Sequence, residues 1–366
     1  MPGLDIRIMA HPSRTDSALS LRDRLAALDP VLVWDTAVDG PPSATRTART
    51  AWSLPARGGA THRVVLQDDV VVADDFAERL MGILARRPAS PVGLFAGWGS
   101  RTGQAVRLAA YQGLSWAPAL GPAMSATGVA LPEELAARYA AALGQVGTEG
   151  RDSVFMYDFL MAARAKPIIA VPNLVEHDWP YTPSLWPEKF VHGPRRSACF
   201  LAAGGRQATG DGLERVEVVP RLSPDVLRSR TGVYDGVTGL FTDIPSWRYA
   251  QRLGFGTPDL MRLFADERAG AARRALSGYL DVAFQYEIWL TGFLSGRVLA
   301  GLTMTGIPDL ASPAARAASR TCVTGCLSRV MPTAVMDAVA AAAVDLVEYS
   351  VLAGLDSVVQ VTAPVR

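Results

Sequence analysis

Cysteine, lysine and excess charge are all scarce in this sequence. Its 366 residues include three cysteines and two lysines, and 36 basic residues against 35 acidic residues leave a formal net charge of +1. Three scattered cysteines are too few for a disulfide framework, and Cys322 and Cys326 lack the second pair that a structural zinc site needs. The charge balance argues against a protein that coats nucleic acid or binds membranes electrostatically. We therefore expect buried thiols at Cys322 and Cys326, and no nucleic acid as a bulk partner.

Targeting and membrane-spanning signals are also missing. The N-terminal segment MPGLDIRIMAHPSR has neither the basic region nor the apolar region of a signal peptide. No run reaches the roughly 18 uncharged apolar residues expected of a transmembrane helix. The nearest run, 334–353, is interrupted by Asp337, Asp345 and Glu348. The sequence thus predicts a cytoplasmic protein without a transmembrane segment.

Hydrophobic residues, at 49% of the chain, are abundant enough for a sizeable folded core. The length favours two units, since single domains usually hold about 100–200 residues. The first part alternates short β-branched runs with helical patterns, as strand–helix–strand units do. Later segments, 257–268, 271–300 and 333–353, have long helical patterns, and Gly354 is predicted to end the last helix. We predict an α/β unit over 1–204, a linker with short elements over 205–256, and a helical C-terminal unit over 257–366.

The most informative segment is HRVVLQDDVVV, residues 62–72. Its apolar strand pattern ends in two adjacent carboxylates, Asp68 and Asp69. Ligands bind at the carboxyl edge of open α/β sheets. Two neighbouring acids repel each other unless a cation lies between them, and Mg²⁺ or Mn²⁺ prefers oxygen ligands and binds diphosphates. The pattern indicates a divalent-cation site, and the alternative is that the two aspartates only cap the next turn.

Polar side chains also follow two other predicted strands. His11 and Arg14 come directly after strand one, and Asp35 follows an aromatic residue at the end of strand two. An aromatic ring beside an acid suits a nucleotide base and a ribose hydroxyl. Arg46 and Arg49 lie one turn apart on a predicted helix and suit bidentate binding of a phosphate, with a solvated helix face as the alternative. These residues predict a nucleotide-binding edge.

Taken in order, these motifs resemble the nucleotide-binding half of a GT-A glycosyltransferase over roughly residues 4–200. QDDV, residues 67–70, stands in the place of the family's DXD or EDD motif. GPAMSATGVALP, residues 121–132, resembles the strand and turn on the acceptor side. Residues 157–172 are similar to the segment that carries the catalytic base, and NLVEH, residues 173–177, resembles the late segment that supplies a histidine to the metal.

The resemblance implies a GT-A fold, a Rossmann-like mixed sheet flanked by helices. It also implies a UDP-, GDP- or TDP-linked sugar as donor and Mn²⁺ or Mg²⁺ as cofactor. Asp69 and His177 would bind the metal, and Asp68 would bind the ribose or the donor sugar. Asp158 would be the base that deprotonates the acceptor hydroxyl. Asp152, at the start of the same helix, is the alternative base or only a helix cap.

Further residues complete the predicted site. Two arginines lie in a loop that could close over the diphosphate, and four aromatic residues suit a sugar-binding wall or a packed loop. These residues are Arg195, Arg196, Trp98, Trp179, Tyr181 and Trp186.

The sequence leaves three functions open. A metal-assisted glycosyltransferase is the prediction, with a C-terminal helical unit that binds the acceptor or forms a homo-oligomer. A nucleotidyltransferase also uses a sheet-edge acid pair and a metal, but it usually has a Gly-rich basic loop after strand one, which MAHPSR, residues 9–14, lacks. The third possibility is a non-catalytic protein that binds a nucleotide or a carbohydrate.

Overall fold

The computed structural model describes residues 3–37, 43–146, 152–178, 195–203, 211–302 and 308–361. The strands in these ranges are β1 (Leu4–Ala10), β2 (Val31–Trp34), β3 (His62–Gln67), β4 (Val70–Val72), β5 (Val92–Gly93), β6 (Trp116–Pro118), β7 (Gly128–Pro132), β8 (Ile168–Ala170), β9 (Val175–His177), β10 (Val218–Ser223), β11 (Arg228–Asp235) and β12 (Leu240–Pro245). The helices are α1 (Thr15–Arg24), α2 (Ala44–Ser53), α3 (Phe76–Arg86), α4 (Arg101–Tyr111), α5 (Glu133–Leu143), α6 (Asp152–Ala162), α7 (Ser246–Arg252), α8 (Thr257–Phe264), α9 (Glu267–Leu276), α10 (Val282–Gly301), α11 (Pro313–Leu327) and α12 (Thr333–Val361).

Seven strands form a mixed sheet in the order β2-β1-β3-β7-β5-β8-β6. Five of them share one direction, whereas β7 and β6 run antiparallel to their neighbours. Alternate residues of β3 enter two apolar cores, Val64 and Leu66 on one face and Val65 on the other, because successive strand residues point to opposite faces. The predicted α/β fold, with a mixed sheet flanked by helices, is confirmed at this level.

A helix that the sequence did not reveal follows β5. The glycines of GWGSRTGQ, residues 97–104, are typical of a loop, but α4 begins at Arg101. The Ser100 hydroxyl accepts a hydrogen bond from the Gly103 N–H at 2.8 Å and so caps the helix. Gly103 is needed because a Cβ there would lie 2.4 Å from the Gly97 carbonyl oxygen. The glycines of this segment therefore serve close packing at a helix start.

The C-terminal helices differ from the predicted ones in their ends. Asp266 and Asp281 accept hydrogen bonds from the backbone N–H groups of Arg268 and Phe284, so they cap α9 and α10 and divide the expected 257–268 and 271–300 patterns. The prediction that the last helix ends at Gly354 was wrong, since α12 continues to Val361. A Cβ at Gly354 would lie 2.0 Å from the Phe293 carbonyl oxygen, so this glycine permits a close helix crossing.

The segment predicted as a linker with short elements, residues 205–256, contains an antiparallel meander, β10-β11-β12. The meander and the C-terminal helices pack on the Val65 face of the main sheet, and one apolar core runs from that face to Trp289 in α10 and Val347 in α12. Cys322 and Cys326 are buried free thiols in α11, as expected.

Residues Thr333–Ser357 of α12 are long and apolar enough to cross a membrane by length and composition. Their inner face, which includes Val339, Leu346 and Val351, is buried in the core, and core helices of soluble proteins meet the same criteria. The absence of a transmembrane segment therefore stays a prediction.

Candidate active site at the sheet edge

The carboxyl ends of β1 and β3 bring two predicted motifs together. One oxygen of Asp68 accepts the backbone N–H of His11 at 2.7 Å, and the other accepts an Arg14 guanidinium N–H at 3.0 Å. The same Arg14 nitrogen lies 3.2 Å from Asp69. Arg195, from a distant segment, donates to Asp69 at 2.9 Å. Four residues predicted for this site, Arg14, Asp68, Asp69 and Arg195, therefore form one ionic cluster, in which both aspartates are buried, and the backbone of His11 joins it.

His177 completes the cluster through a small second sheet. β4 pairs with β9 so that Val70 lies opposite His177, and the Asp69 carbonyl accepts the Asp178 N–H at 2.9 Å. The His177 Nδ1 atom is 3.6 Å from Asp69 Oδ1, which is too long for a hydrogen bond but close enough for a charge interaction. The ring edge contacts Phe95, with centroids 5.0 Å apart.

The two adjacent aspartates have opposite pKa shifts. Burial raises the pKa of Asp68, and the His11 N–H and Arg14 offset it only in part. Burial also opposes ionisation of Asp69, but its interactions with His177, Arg14 and Arg195 outweigh burial and hold the pKa of Asp69 well below its usual range. Asp69 is therefore the more acidic member of the pair.

The ligand set for a metal ion is small. Two buried atoms in the cluster, Asp69 Oδ1 and His177 Nδ1, have no hydrogen-bond partner among the described residues. A carboxylate oxygen and an imidazole nitrogen are suitable ligands for a divalent ion such as Mn²⁺. The described ranges contain no group of three or more His, Cys, Asp or Glu side chains arranged to hold a metal. The described ranges therefore supply Asp69 and His177 as candidate ligands to such an ion and no larger set.

Arg46 and Arg49 do not form the expected phosphate clamp. Asp35 accepts two hydrogen bonds from Arg46, at 2.7 and 2.6 Å. Burial acts against ionisation of Asp35, but Arg46 outweighs it, and the pKa of Asp35 is lowered. Arg49 instead donates to the carbonyl of Val146. The two arginines thus diverge, because each guanidinium is directed to a different oxygen acceptor.

The two candidate bases, Asp158 and Asp152, differ in how far they are buried. Asp158 is exposed on α6, on the face opposite the buried Met156 and Leu160, and does not line the cleft described below. Asp152 begins α6, where burial raises its pKa. One carboxylate oxygen accepts the Ser153 N–H at 2.7 Å, and the other is buried without a partner among the described residues.

A cleft of about 550 Å³ opens beside the ionic cluster. Predicted residues on its near wall are Trp98, His177, Arg195 and Arg196. The remaining predicted aromatic residues, Trp179, Tyr181 and Trp186, lie outside the described residues. A second wall, called the far wall here, comes from α4, the meander and the residues around the end of α11, and the sequence did not predict it. Its polar residues are Arg101, Arg221, Asp225, Ser328 and Arg329.

A buried glutamate positions the arginine loop. Glu176 in β9 accepts the Ser197 N–H and hydroxyl, both at 2.9 Å, and the His177 N–H at 2.9 Å. Burial raises the pKa of Glu176, although the Ser197 bonds and the Arg196 charge counteract it. Because Ser197 directly follows Arg195 and Arg196, these bonds fix both arginines beside the cleft. The motif NLVEH contained Glu176, but only its histidine was predicted to have a role.

Comparison with models of known protein families and with curated proteins finds no match to this chain.

Proposed function

We propose that the protein is a glycosyltransferase that moves a sugar from a nucleotide-diphosphate donor to an acceptor hydroxyl. The observation that carries the proposal is the convergence of Asp69, His177, Arg14 and Arg195 beside an open cleft at the carboxyl edge of the mixed sheet. Leaving diphosphates develop negative charge, which a preorganised set of cations stabilises. The mixed sheet is compatible with the GT-A fold that the motifs resemble.

In this proposal the arginines of the site have two different roles. Arg195 and Arg196 face the cleft and bind the diphosphate, while Arg14 keeps Asp68 and Asp69 in place. Asp69 and His177 would hold a divalent ion, which would supply further neutralisation of the leaving group. Since Arg14 and Arg195 already contact Asp69, we expect activity to depend only partly on the metal.

The base is assigned to Asp152 rather than to Asp158. The carbonyl of Ser153, the residue after Asp152, accepts the Met124 N–H at 3.1 Å, and the neighbouring Ala123 and Ser125 line the cleft. A buried carboxyl with a raised pKa suits proton transfer. Asp158 is exposed on the outer face of α6, and neither of the two carboxylates itself lines the cleft.

A donor panel tests the proposal. The protein is incubated with UDP-, GDP- and TDP-linked sugars, with Mn²⁺ or with EDTA, and released nucleotides are separated. We expect one donor to release nucleoside diphosphate, with a reduced but measurable rate in EDTA. A parallel incubation contains sugar phosphate and nucleoside triphosphate, and release of pyrophosphate there would instead support a nucleotidyltransferase. Donor binding without turnover in either incubation would support a non-catalytic binding protein.

A further inference from the structure

The far wall of the cleft holds two arginines around a single carboxylate. Arg221 from β10 lies 2.7 Å from Asp243, and Arg101 from the start of α4 lies 3.4 Å from the same side chain. The side chains of Arg101 and Arg221 are only 17% and 14% exposed. A carboxylate neutralises one guanidinium, so this group retains a positive charge in a partly buried position, where uncompensated charge is costly.

The strand register brings a third arginine to the group. Arg221 in β10 is directly opposite Arg230 in β11, and residues opposite each other in an antiparallel pair point to the same face. Arg230 donates to the backbone carbonyl of Asp243 at 2.8 Å and not to its carboxylate. Like charges across a strand pair are unfavourable, so the arrangement favours an anion nearby.

Gly232 makes room for the group. It lies opposite Asp243, and a Cβ at Gly232 would be 3.1 Å from Asp243 Oδ1 and 3.2 Å from Arg101 Nε. Arg101 also lies over the Phe241 ring, 5.0 Å from its centroid, which orients the guanidinium. The Nε atoms of Arg101 and Arg221 have no hydrogen-bond partner among the described residues. The arginines are thus held in place beside the cleft that they line.

We propose that Arg101 and Arg221, held by Asp243, form a binding site for an oxyanion, a carboxylate or a phosphate, and that this group belongs to the acceptor. The acceptor assignment rests on the proposed function, because Arg101 and Arg221 line the same cleft as Arg195 and Arg196, the proposed diphosphate ligands. Arg329 on this wall is paired with Asp225 at 2.8 Å and adds no net charge. The protein would then glycosylate an anionic molecule.

The test uses inorganic phosphate and acetate as probes, titrated at constant ionic strength while the Tm is followed without any donor. We compare the wild type with Arg221→Gln, with Arg195→Gln and with Arg228→Gln. Arg228 is the matched control because it lies on the same meander, pairs with Glu287 at 3.0 Å and does not line the cleft. In Arg221→Gln, Asp243 still has Arg101 as partner, so the fold should survive; Arg101→Gln is the second variant if it does not.

We expect at least one probe to raise the Tm of the wild type, of Arg195→Gln and of Arg228→Gln. In Arg221→Gln its half-maximal concentration should rise about tenfold or more, as for the loss of a charged hydrogen bond. The probe that acts more strongly, phosphate or acetate, identifies the group. No response in the wild type, or a response lost in Arg195→Gln and kept in Arg221→Gln, would overturn the inference.

The two proposals fail separately. An Arg221-dependent anion response without any donor turnover in the panel would contradict glycosyl transfer and keep the anion site. Donor turnover in a protein whose Tm responds to neither probe would keep glycosyl transfer and overturn the anion site.

Discussion

At the scale of single residues, Asp68 and Asp69 are chemically distinct although they are adjacent. Asp69 has the lowered pKa and the unpartnered oxygen that faces His177, whereas both oxygens of Asp68 are occupied by His11 and Arg14. We expect Asp69→Asn to lower donor turnover by about 10²–10³-fold, the effect of losing one key electrostatic contact. Nucleoside diphosphate release measures it.

Asp68→Asn is the matched control for that experiment. Its amide oxygen can still accept the His11 N–H, so we expect a smaller loss of turnover than in Asp69→Asn. Equal losses in the two variants would mean that the pair acts only through its total charge. Turnover close to that of the wild type in Asp69→Asn would exclude Asp69 from the site.

The two acids of α6 give a second prediction at this scale. We expect Asp152→Asn to lose about 10²-fold or more of the transfer rate, because an amide cannot accept the acceptor's proton. We expect Asp158→Asn to keep most of its rate, because Asp158 is exposed on the face of α6 opposite the buried Met156 and Leu160. The readout is transfer to the acceptor, with donor binding measured separately. If Asp158→Asn is inactive and Asp152→Asn is active, the residue implied by the family resemblance is the base.

At the scale of elements, two helical glycines differ in what surrounds them. Gly354 of α12 would place a Cβ 2.0 Å from the backbone of Phe293, whereas a Cβ at Gly82 of α3 would have nothing within 4 Å. Gly354→Ala should lower the free energy of unfolding by about 1–3 kcal/mol through overpacking. Gly82→Ala should raise it by about 0.5–1 kcal/mol, because alanine suits a helix better. Urea unfolding measures both, and a shift of the same sign in both variants would contradict this account.

Local patterns predicted most elements of the first half but not the contacts between distant segments. The strand at 62–67 and its two terminal acids follow from the hydrophobic run alone. The direction of Arg46 toward Asp35, by contrast, depends on how α2 docks beside β2, which helical spacing does not encode. Gly354 was misread because a C-terminal glycine and a close-packing glycine have the same sequence signal. The far wall was missed because Arg101, Arg221 and Asp243 meet only through tertiary packing.

At the scale of the whole molecule, the candidate site depends on both halves of the chain. The near wall comes from the main sheet and the far wall from the meander and α11. A single apolar core, which includes Val65, Trp289 and Val323, continues between them. A core substitution that shifts one of these parts against the other should therefore alter ligand binding even when no site residue is changed.

The pH dependence of folding tests the charge arrangement of the whole molecule. Asp35 is buried, but its bonds to Arg46 dominate and lower its pKa. A carboxyl with a lowered pKa stabilises the fold above its unfolded pKa of about 4, and that contribution is lost as the pH falls through the folded value. Asp35→Asn should therefore be less stable than the wild type at pH 7, with a stability that declines less steeply below pH 4.

Asp152 should behave in the opposite way. Burial raises the pKa of Asp152. Its stabilising contribution to the fold is therefore present below the unfolded pKa of about 4 and is lost as the pH rises through the raised folded pKa. Relative to the wild type, Asp152→Asn should gain stability as the pH rises above about 4, and below that pH the two proteins should lose stability equally steeply. Urea unfolding at half-unit pH steps gives both curves, and each group that titrates changes the slope by at most about 1.4 kcal/mol per pH unit. For each variant, we subtract the wild-type free energy of unfolding at every pH, and the two difference curves should slope in opposite directions. If they slope in the same direction, a cation stabilises the buried carboxyl at the start of α6, and its proposed role as a base loses its physical ground.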